Sequence, residues 1–456
     1  MVIRHAACIL VLAAIVTVHI GCGSTDEKVV TVSLSLPADW ESVLDMDALG
    51  AVSSTPYIGT VRFLYGTDQD LSIDFPYDSG SASFDAGQAD ELTVQALTAG
   101  QVIMEGSVQN LRSGSGDVTV TLEKVNGFSG AGSLLYPRQN HSAVLVSGTI
   151  YIIGGNLNTG IIETLSGLSG SITSSAYAAS LTYPRDGAAV LHDAYGNRLF
   201  VFKGATAVDD NLYEIVDLDE KIAVPRTLSN PRYKYFPLVN NQEAILFGGY
   251  DGISTWFESS LLINFDNFNE YIWTGLGTSV NRNNPQCISN MDKLSCFGGE
   301  SEIIEVFNLT DGKIDYSIPI FPNIEGFTAT SLESGNIIVI GGLEGVTGYK
   351  QVKILYPYTG EFSDLSNDIN YERYFHTATI LNSNKILIIG GGSNINSAHS
   401  AELLDLGTGE STLLPWRMKV PRIGHTATLL PDGRVLVAGG SATDKSVEVF
   451  TPRSAQ

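Results

Sequence analysis

Residues 421 to 440 read Pro421-Arg422-Ile423-Gly424-His425-Thr426-Ala427-Thr428-Leu429-Leu430-Pro431-Asp432-Gly433-Arg434-Val435-Leu436-Val437-Ala438-Gly439-Gly440. Two largely apolar runs flank the turn Asp432-Gly433, so the segment reads as a β-hairpin that ends in a double glycine. The same wording returns from Arg373 to Gly391 with His376-Thr377-Ala378-Thr379, from Phe327-Thr328-Ala329-Thr330 to Gly342, and from Arg138 to Gly155 with His141-Ser142-Ala143. Three weaker copies end at Gly204, Gly249 and Gly299; in the first of them Lys203 stands where a glycine is usual. The second glycines fall at 155, 204, 249, 299, 342, 391 and 440, a period that predicts seven equivalent structural units.

The double glycine, the apolar hairpin before it and a carboxylate in a later strand, as in Ser446-Val447-Glu448-Val449-Phe450, resemble the Kelch repeat family over roughly residues 130 to 456. The resemblance implies an all-β chain with a seven-bladed Kelch-type β-propeller over 126–456. The Trp usual near a blade's end is clear at Trp273 and Trp416. The last repeat stops soon after Phe450, and Phe128 to Leu135 is expected to supply its missing outer strand, which would join the last blade to the first and cover two sheet edges.

Ahead of the repeats, residues 29–125 alternate in period two, as in Val29-Val30-Thr31-Val32-Ser33-Leu34 and Val61-Arg62-Phe63-Leu64-Tyr65, with Gly and Ser clusters between the runs. That pattern predicts a small antiparallel β-sandwich, Ig-like or transthyretin-like. Residues 1–21 read as a lipoprotein-type signal peptide: Arg4 and His5 precede the apolar run Ala6 to Val18, which is too short to cross a ~30 Å hydrocarbon core as a helix. His19-Ile20-Gly21-Cys22 resembles a lipobox, so Cys22 is the expected lipid carrier and 22–28 a polar tether. Gly23 after that Cys, by resemblance to diderm lipoproteins, favours the outer membrane. A cell-envelope protein, periplasmic or surface-facing and held on a membrane by its acylated N-terminus, is the expectation.

The formal net charge of -23 argues against nucleic acid as a partner, because phosphate backbones are bound through Lys and Arg. Of four cysteines, Cys8 falls in the signal and Cys22 takes lipid, which leaves Cys287 and Cys296. Hairpin register, with Thr428 opposite Val437 in the last repeat, places those two opposite each other at a separation of about 4.5–5.5 Å, within reach of a disulfide in an exported protein.

An arginine opens the inner strand in six of the seven units: Arg138, Arg185, Arg232, Arg282, Arg373 and Arg422, with Ile324 or Asn323 in the remaining one. One reading makes these arginines a ring at the channel mouth, with the loops after each double glycine around it, gripping an anionic glycan or protein ligand. The other pairs each with the recurrent Glu163, Glu214, Glu305, Glu402 or Glu448. His141, His376 and His425 share one repeat position, which points to a role in the fold. Galactose oxidase carries similar repeats, but its copper chemistry needs a Tyr crosslinked to Cys and a Tyr-His pair, and no Tyr-His dipeptide occurs here. Asp209-Asp210, Asp217 and Asp219, and the run Asp266 to Glu270, lack the glycine and spacing of a calcium loop. No catalytic set, metal or cofactor is expected. The expected function is a binding or interaction scaffold that takes a glycan or protein ligand on one propeller face; the alternative is a carbohydrate-active enzyme resembling the Kelch-type sialic acid epimerases.

Overall fold

A computed structural model describes residues 15–20, 28–35, 60–65, 69–74, 81–87, 91–109, 118–156, 160–204, 211–253, 255–280, 282, 285–319, 324–381, 384–392 and 394–453. Cys22, the proposed lipid carrier, lies outside the described residues. The chain divides into two units, one of residues 1–128 with 414–419 and 451–456, the other of residues 129–413 with 420–450.

In the larger unit the repeats become four-stranded antiparallel sheets, seven among the described residues. Each begins with one strand of the quoted hairpin: His141–Val146, Ala189–Asp193, Phe236–Asn240, Gln286–Asn290, Thr328–Ser331, Thr377–Leu381 and His425–Leu429, here numbered sheets one to seven. In sheet seven Val435–Gly439 and Ser446–Thr451 follow, and the fourth strand is Gly127–Ser133, from the start of the repeat region, beside Ser446–Thr451. That is the strand expected from Phe128 to Leu135. Ser446–Thr451 is thereby covered on the edge that the end of the repeat leaves open.

Apolar side chains pack between sheets. Ile150, Ile152 and Leu165 of sheet one share a core with Leu436, Ala438, Val447 and Val449 of sheet seven. Phe200, Phe202 and Tyr213 of sheet two do the same with Ala244, Leu246 and Ile263 of sheet three. Each such side chain, fully buried, contributes about 1.5–3 kcal/mol, so these interleaved layers outweigh any single polar contact.

The double glycine is what lets the sheets approach. A Cβ on Gly439 would stand 2.3 Å from His141 Cε1 of sheet one, and one on Gly440 would stand 2.6 Å from His425 Cβ of its own sheet. Both glycines also hold positive φ, 68° and 79°. With the side chains gone, Gly440 N–H donates to Arg138 O at 2.7 Å, and the same bond joins Gly155 to Arg185, Gly342 to Arg373 and Gly391 to Arg422.

Cys287 and Cys296 are directly opposed and form a disulfide with a Cα separation of 4.1 Å, closer than expected. The register of the last repeat differs from the reading that led to them: Thr428 pairs with Leu436, and Val437 with Ala427. Sheet seven turns through Pro431-Asp432-Gly433, with Leu430 N–H donating to Arg434 O, whereas sheet four needs only Met291-Asp292 between Asn290 and Lys293. One residue less in the turn puts the cysteines opposite each other.

The smaller unit holds a five-stranded antiparallel sheet ordered Gln69–Asp74, Thr60–Tyr65, Glu91–Thr98, Gln101–Gln109, Glu123–Lys124. A four-stranded sheet is ordered Ser81–Gly87, Ile15–Ile20, Lys28–Ser35, Val118–Thr121. The antiparallel expectation fails for this second sheet, where Ile15–Ile20 runs parallel to Ser81–Gly87 and Lys28–Ser35 parallel to Val118–Thr121. Ile15–Ile20 is therefore a strand although it falls within the stretch read as a signal peptide. Trp416 also departs from its expected place. It belongs to this unit, fully buried, its indole Nε1 donating to Ile103 O at 3.0 Å and its ring under the Lys124 ammonium, so it is not a blade residue. Among the described residues no helix is long and apolar enough to cross a membrane.

Candidate functional site

The six arginines do not form a ligand-binding ring. Arg138, Arg185, Arg232, Arg282, Arg373 and Arg422 are at most 3% exposed. Each uses one guanidinium nitrogen to hold the carbonyl of the first residue of its own glycine pair: Gly154, Lys203, Gly248, Gly298, Gly390 and Gly439, at 2.6–3.0 Å. Five also meet the recurrent glutamate of the same sheet: Arg138–Glu163 at 3.4 Å, Arg185–Glu214 at 3.5 Å, Arg282–Glu305 at 3.0 Å, and Arg373–Glu402 and Arg422–Glu448 at 2.8 Å. Four of the glutamates further accept an amide of the chain entering the sheet, from Leu135, Thr182, Ser279 and Asn370. Five of the arginines thus meet a carboxylate inside their own sheet, and none of the six stands on an exposed surface.

Arg232 is the exception. Leu261, opposite Leu246, occupies the place that Glu448, opposite Val437, holds in sheet seven. The chain entering sheet three is instead capped by Glu270, which accepts from Ser229 N–H at 2.7 Å. Arg232 keeps Ser259 O at 2.6 Å and the face of Phe257 at 4.3 Å, and burial lowers its pKa to about 10.

The three repeated histidines bond between sheets. His141 Nε2 lies 2.9 Å from Thr426 Oγ1 of sheet seven, His376 3.0 Å from Thr328 Oγ1 of sheet five, and His425 2.9 Å from Thr377 Oγ1 of sheet six. Burial and the nearby guanidiniums push His141 and His376 down to about 3 and His425 well below its ordinary value. Neutral, enclosed rings of this kind are joints of the fold.

Sheet five breaks the pattern twice. Ile324, nearly buried, stands where the others have arginine. Lys353, opposite Val339, stands where five of the sheets have glutamate and bonds to Asp364. The loop after its double glycine is also distinctive, a hairpin in which Leu343–Glu344 pairs with Thr347–Gly348, with Tyr349 Oη donating to Glu344 at 2.6 Å. At this place a cavity of about 480 Å³ opens, lined by Gln286 and Glu300 of sheet four, Ile324, Glu325 and Phe327 of sheet five, Leu343 and Gly345 of the hairpin, and Phe375 of sheet six. Its size is that of a small-molecule site. Phe375 is 43% exposed and held at φ 50°. Among the described residues the lining has carboxylates, an amide and aromatic rings, and no cationic side chain.

The signal for this cavity was visible in the sequence as the one unit without an arginine, whereas the repeated residues led to six positions that are buried in the sheets. Of the loops expected to give specificity, Leu343–Tyr349 is this hairpin, Tyr250–Trp256 is bridged to Tyr233, and Gly392–His399 ends in the short helix Ile395–His399. In the two others, residues 157–159 and 205–210 lie outside the described residues.

No family model matches the chain, and no curated protein matches it. Solved structures do. A fungal alcohol oxidase of the AA5 family, solved in complex with copper, is similar at TM-score 0.56 and 16% identity, over 72% of this chain and 76% of that one. YjhT is similar at TM-score 0.47 and 15% identity, over 62% of this chain and 99% of that one. Identity this low speaks to fold alone. The copper of the fungal oxidase finds no fitting donor set here: the three repeated histidines are bonded to threonines, Cys287 and Cys296 are joined, and no three His, Cys, Asp or Glu side chains gather among the described residues. The chain is an all-β protein whose repeated four-stranded antiparallel sheets are consistent with Kelch blades and whose fold is similar to that of Kelch propeller proteins.

Proposed function

We propose that this chain is a glycan-binding protein of the cell envelope, anchored through lipid on Cys22, whose seven sheets close into a seven-bladed propeller with the binding pocket at sheet five. Closure is supported by the shared core of sheets one and seven, by the Gly440 to Arg138 bond and by the His141 to Thr426 bond, which repeat between these two sheets the contacts made by consecutive ones. The observation that carries the binding reading is the coincidence at sheet five of the missing Arg–Glu pair, the hairpin and the cavity. A repeat protein departs from its own repeat where something other than folding is selected.

The lining favours a neutral, hydroxyl-rich ligand. Glu300 and Glu325 accept hydrogen bonds from hydroxyls, Gln286 both donates and accepts, and the exposed ring of Phe375 offers an apolar face to the C–H side of a sugar. An anion would meet two carboxylates. The reading is tested by screening the full chain, purified in detergent, on arrays of neutral and anionic glycans. Binding to neutral glycans is expected, weakened about tenfold or more in Glu325→Gln and Phe375→Ala, and anionic glycans are expected to bind no better. Binding that is unaffected by both substitutions, or absent for every neutral glycan, overturns it.

A further inference from the structure

We propose that the ligand is a chain of several sugar rings, and that it runs from the sheet-five pocket across sheet four onto an aromatic rim on sheet three made by Tyr233, Tyr250 and Trp256. This rests on the glycan reading of the pocket.

The two places are on the same face by repeat position. Tyr233 follows Arg232 as Glu325 follows Ile324, and Tyr250 follows Gly249 as Leu343 follows Gly342 and Glu300 follows Gly299. The backbone confirms the equivalence. Tyr233 and Tyr250 form an isolated bridge, with N–H···O distances of 2.9 and 3.1 Å, just as Glu325 and Leu343 do at 2.9 Å in both directions. Sheet four, which supplies Gln286 and Glu300 to the pocket, lies between, its first strand next to those of sheets three and five.

The rim is held by hydrogen bonds of its own loop. Tyr250 bridges to Trp256 on its other side, and Phe257 N–H donates to Gly249 O at 2.9 Å. The Asp251 carboxylate accepts from Ile253 N–H at 2.8 Å and Thr255 N–H at 3.0 Å. The Tyr250 ring lies 5.8 Å from that of Tyr233 and 5.2 Å from that of Trp256, the latter pair inclined by 31°. Gly252, at φ 83°, lets the loop fold against the Tyr233 ring; a Cβ there would stand 2.7 Å from Cε2. All three aromatic residues stay half-buried, and Ile253 at the loop tip is 87% exposed. A loop bridged this way that nevertheless leaves aromatic rings partly in water is suited to stacking on flat apolar faces. Because the rings are already positioned, little ordering cost is added on binding. In a neutral glycan those faces are the C–H sides of successive rings, and only a chain can occupy pocket and rim together.

The test uses matched disaccharides and hexasaccharides of glucose, mannose, xylose and N-acetylglucosamine, measured by calorimetry against the protein and its Trp256→Ala, Trp256→Phe and Glu325→Gln variants, each checked for an unchanged melting temperature. For the sugar that binds, the hexasaccharide is expected to bind about tenfold tighter than the disaccharide. Trp256→Ala should bring that ratio close to one without altering disaccharide affinity, Trp256→Phe should preserve it, and Glu325→Gln should weaken both. A ratio that Trp256→Ala leaves as it was, or a ratio of one in the unaltered protein, overturns the rim while the pocket stands. If neither length of any sugar binds, the pocket reading and the rim fall together.

Discussion

Arg232 shows what the other five arginines gain from their glutamates. It is fully buried with its Nε making no hydrogen bond, as in Arg138 and Arg185, but it alone of the six has a leucine, Leu261, where the others have glutamate. Leu261→Glu should therefore behave unlike an ordinary core-to-charge substitution. With Arg232 present we expect a loss of stability under about 1 kcal/mol or a gain; in an Arg232→Met background the same substitution should cost about 3 kcal/mol or more, because it buries a lone carboxylate. Urea unfolding of the four proteins gives the coupling, and equal costs in both backgrounds would show that a carboxylate at 261 does not reach the guanidinium. The repeated histidines set a pH dependence of definite sign. His141 and His376 titrate at about 3 when folded, below the ordinary value near 6.5, so the unfolded chain binds more protons between those limits. Their contribution to stability is complete above about pH 6.5 and is lost progressively as pH falls toward 3, at about 1.4 kcal/mol per pH unit for each histidine. Unfolding at pH 7, 6 and 5 should show this slope, and His376→Gln should make it shallower by one histidine's share; an unchanged slope would mean that His376 does not enter the folded state neutral. These residues were legible as repeated residues. That arginine and glutamate would pair was one of two readings open in the sequence, because spacing alone does not show which way a side chain at a strand's entrance turns.

The elements were legible where local chemistry forces them and illegible where a single residue shifts the register. Every double glycine read from the sequence marks the end of a hairpin, and at Gly439 and Gly440 the chain comes too close to its neighbours for a Cβ. Turn length escaped the reading: sheet seven spends three residues where sheet four spends two, so Thr428 faces Leu436 while Cys287 faces Cys296. The disulfide was thus reached through a register that holds in sheet four and not in sheet seven. Mass spectrometry of unreduced peptides should find Cys287 joined to Cys296, and two alkylatable thiols would refute it. The bond closes a short loop, with partners nine residues apart, so the Cys287→Ala, Cys296→Ala protein should lose at most ~3 kcal/mol by chain-entropy reasoning. Parallel pairing in the smaller unit, and the membership of Trp416 in it, escaped as well. Both depend on segments distant in sequence, Ser81–Gly87 with Ile15–Ile20 and Trp416 with Ile103, and nothing in a period-two pattern says which strand lies beside which.

At the scale of the whole molecule, two readings await solution measurements, the anchor and the ring. The anchor rests on the sequence at Cys22 alone, and Cys22→Ser should move the protein from the membrane fraction to the soluble one; a variant that stays with membranes would remove the lipid from the account. The ring rests on more. A linear row of seven sheets would leave sheet one and sheet seven each with an uncovered apolar face, yet Leu165, Leu436 and Val447 share one core. It would also leave Ser446–Thr451 as an open edge, yet Gly127–Ser133 lies along it and Leu134 N–H donates to Lys445 O at 2.7 Å. If these contacts join the ends in solution, opening the ring requires losing that core and that strand together. Amides of residues 127–134 and 446–450 should then exchange with solvent as slowly as those of Val435–Gly439 in the middle of sheet seven, because all open in one cooperative event. Hydrogen exchange followed by mass spectrometry reads this directly in the intact chain. Fast exchange across 127–134, with Val435–Gly439 still protected, would mean that the first strand peels away independently and that the seven sheets are not locked by it.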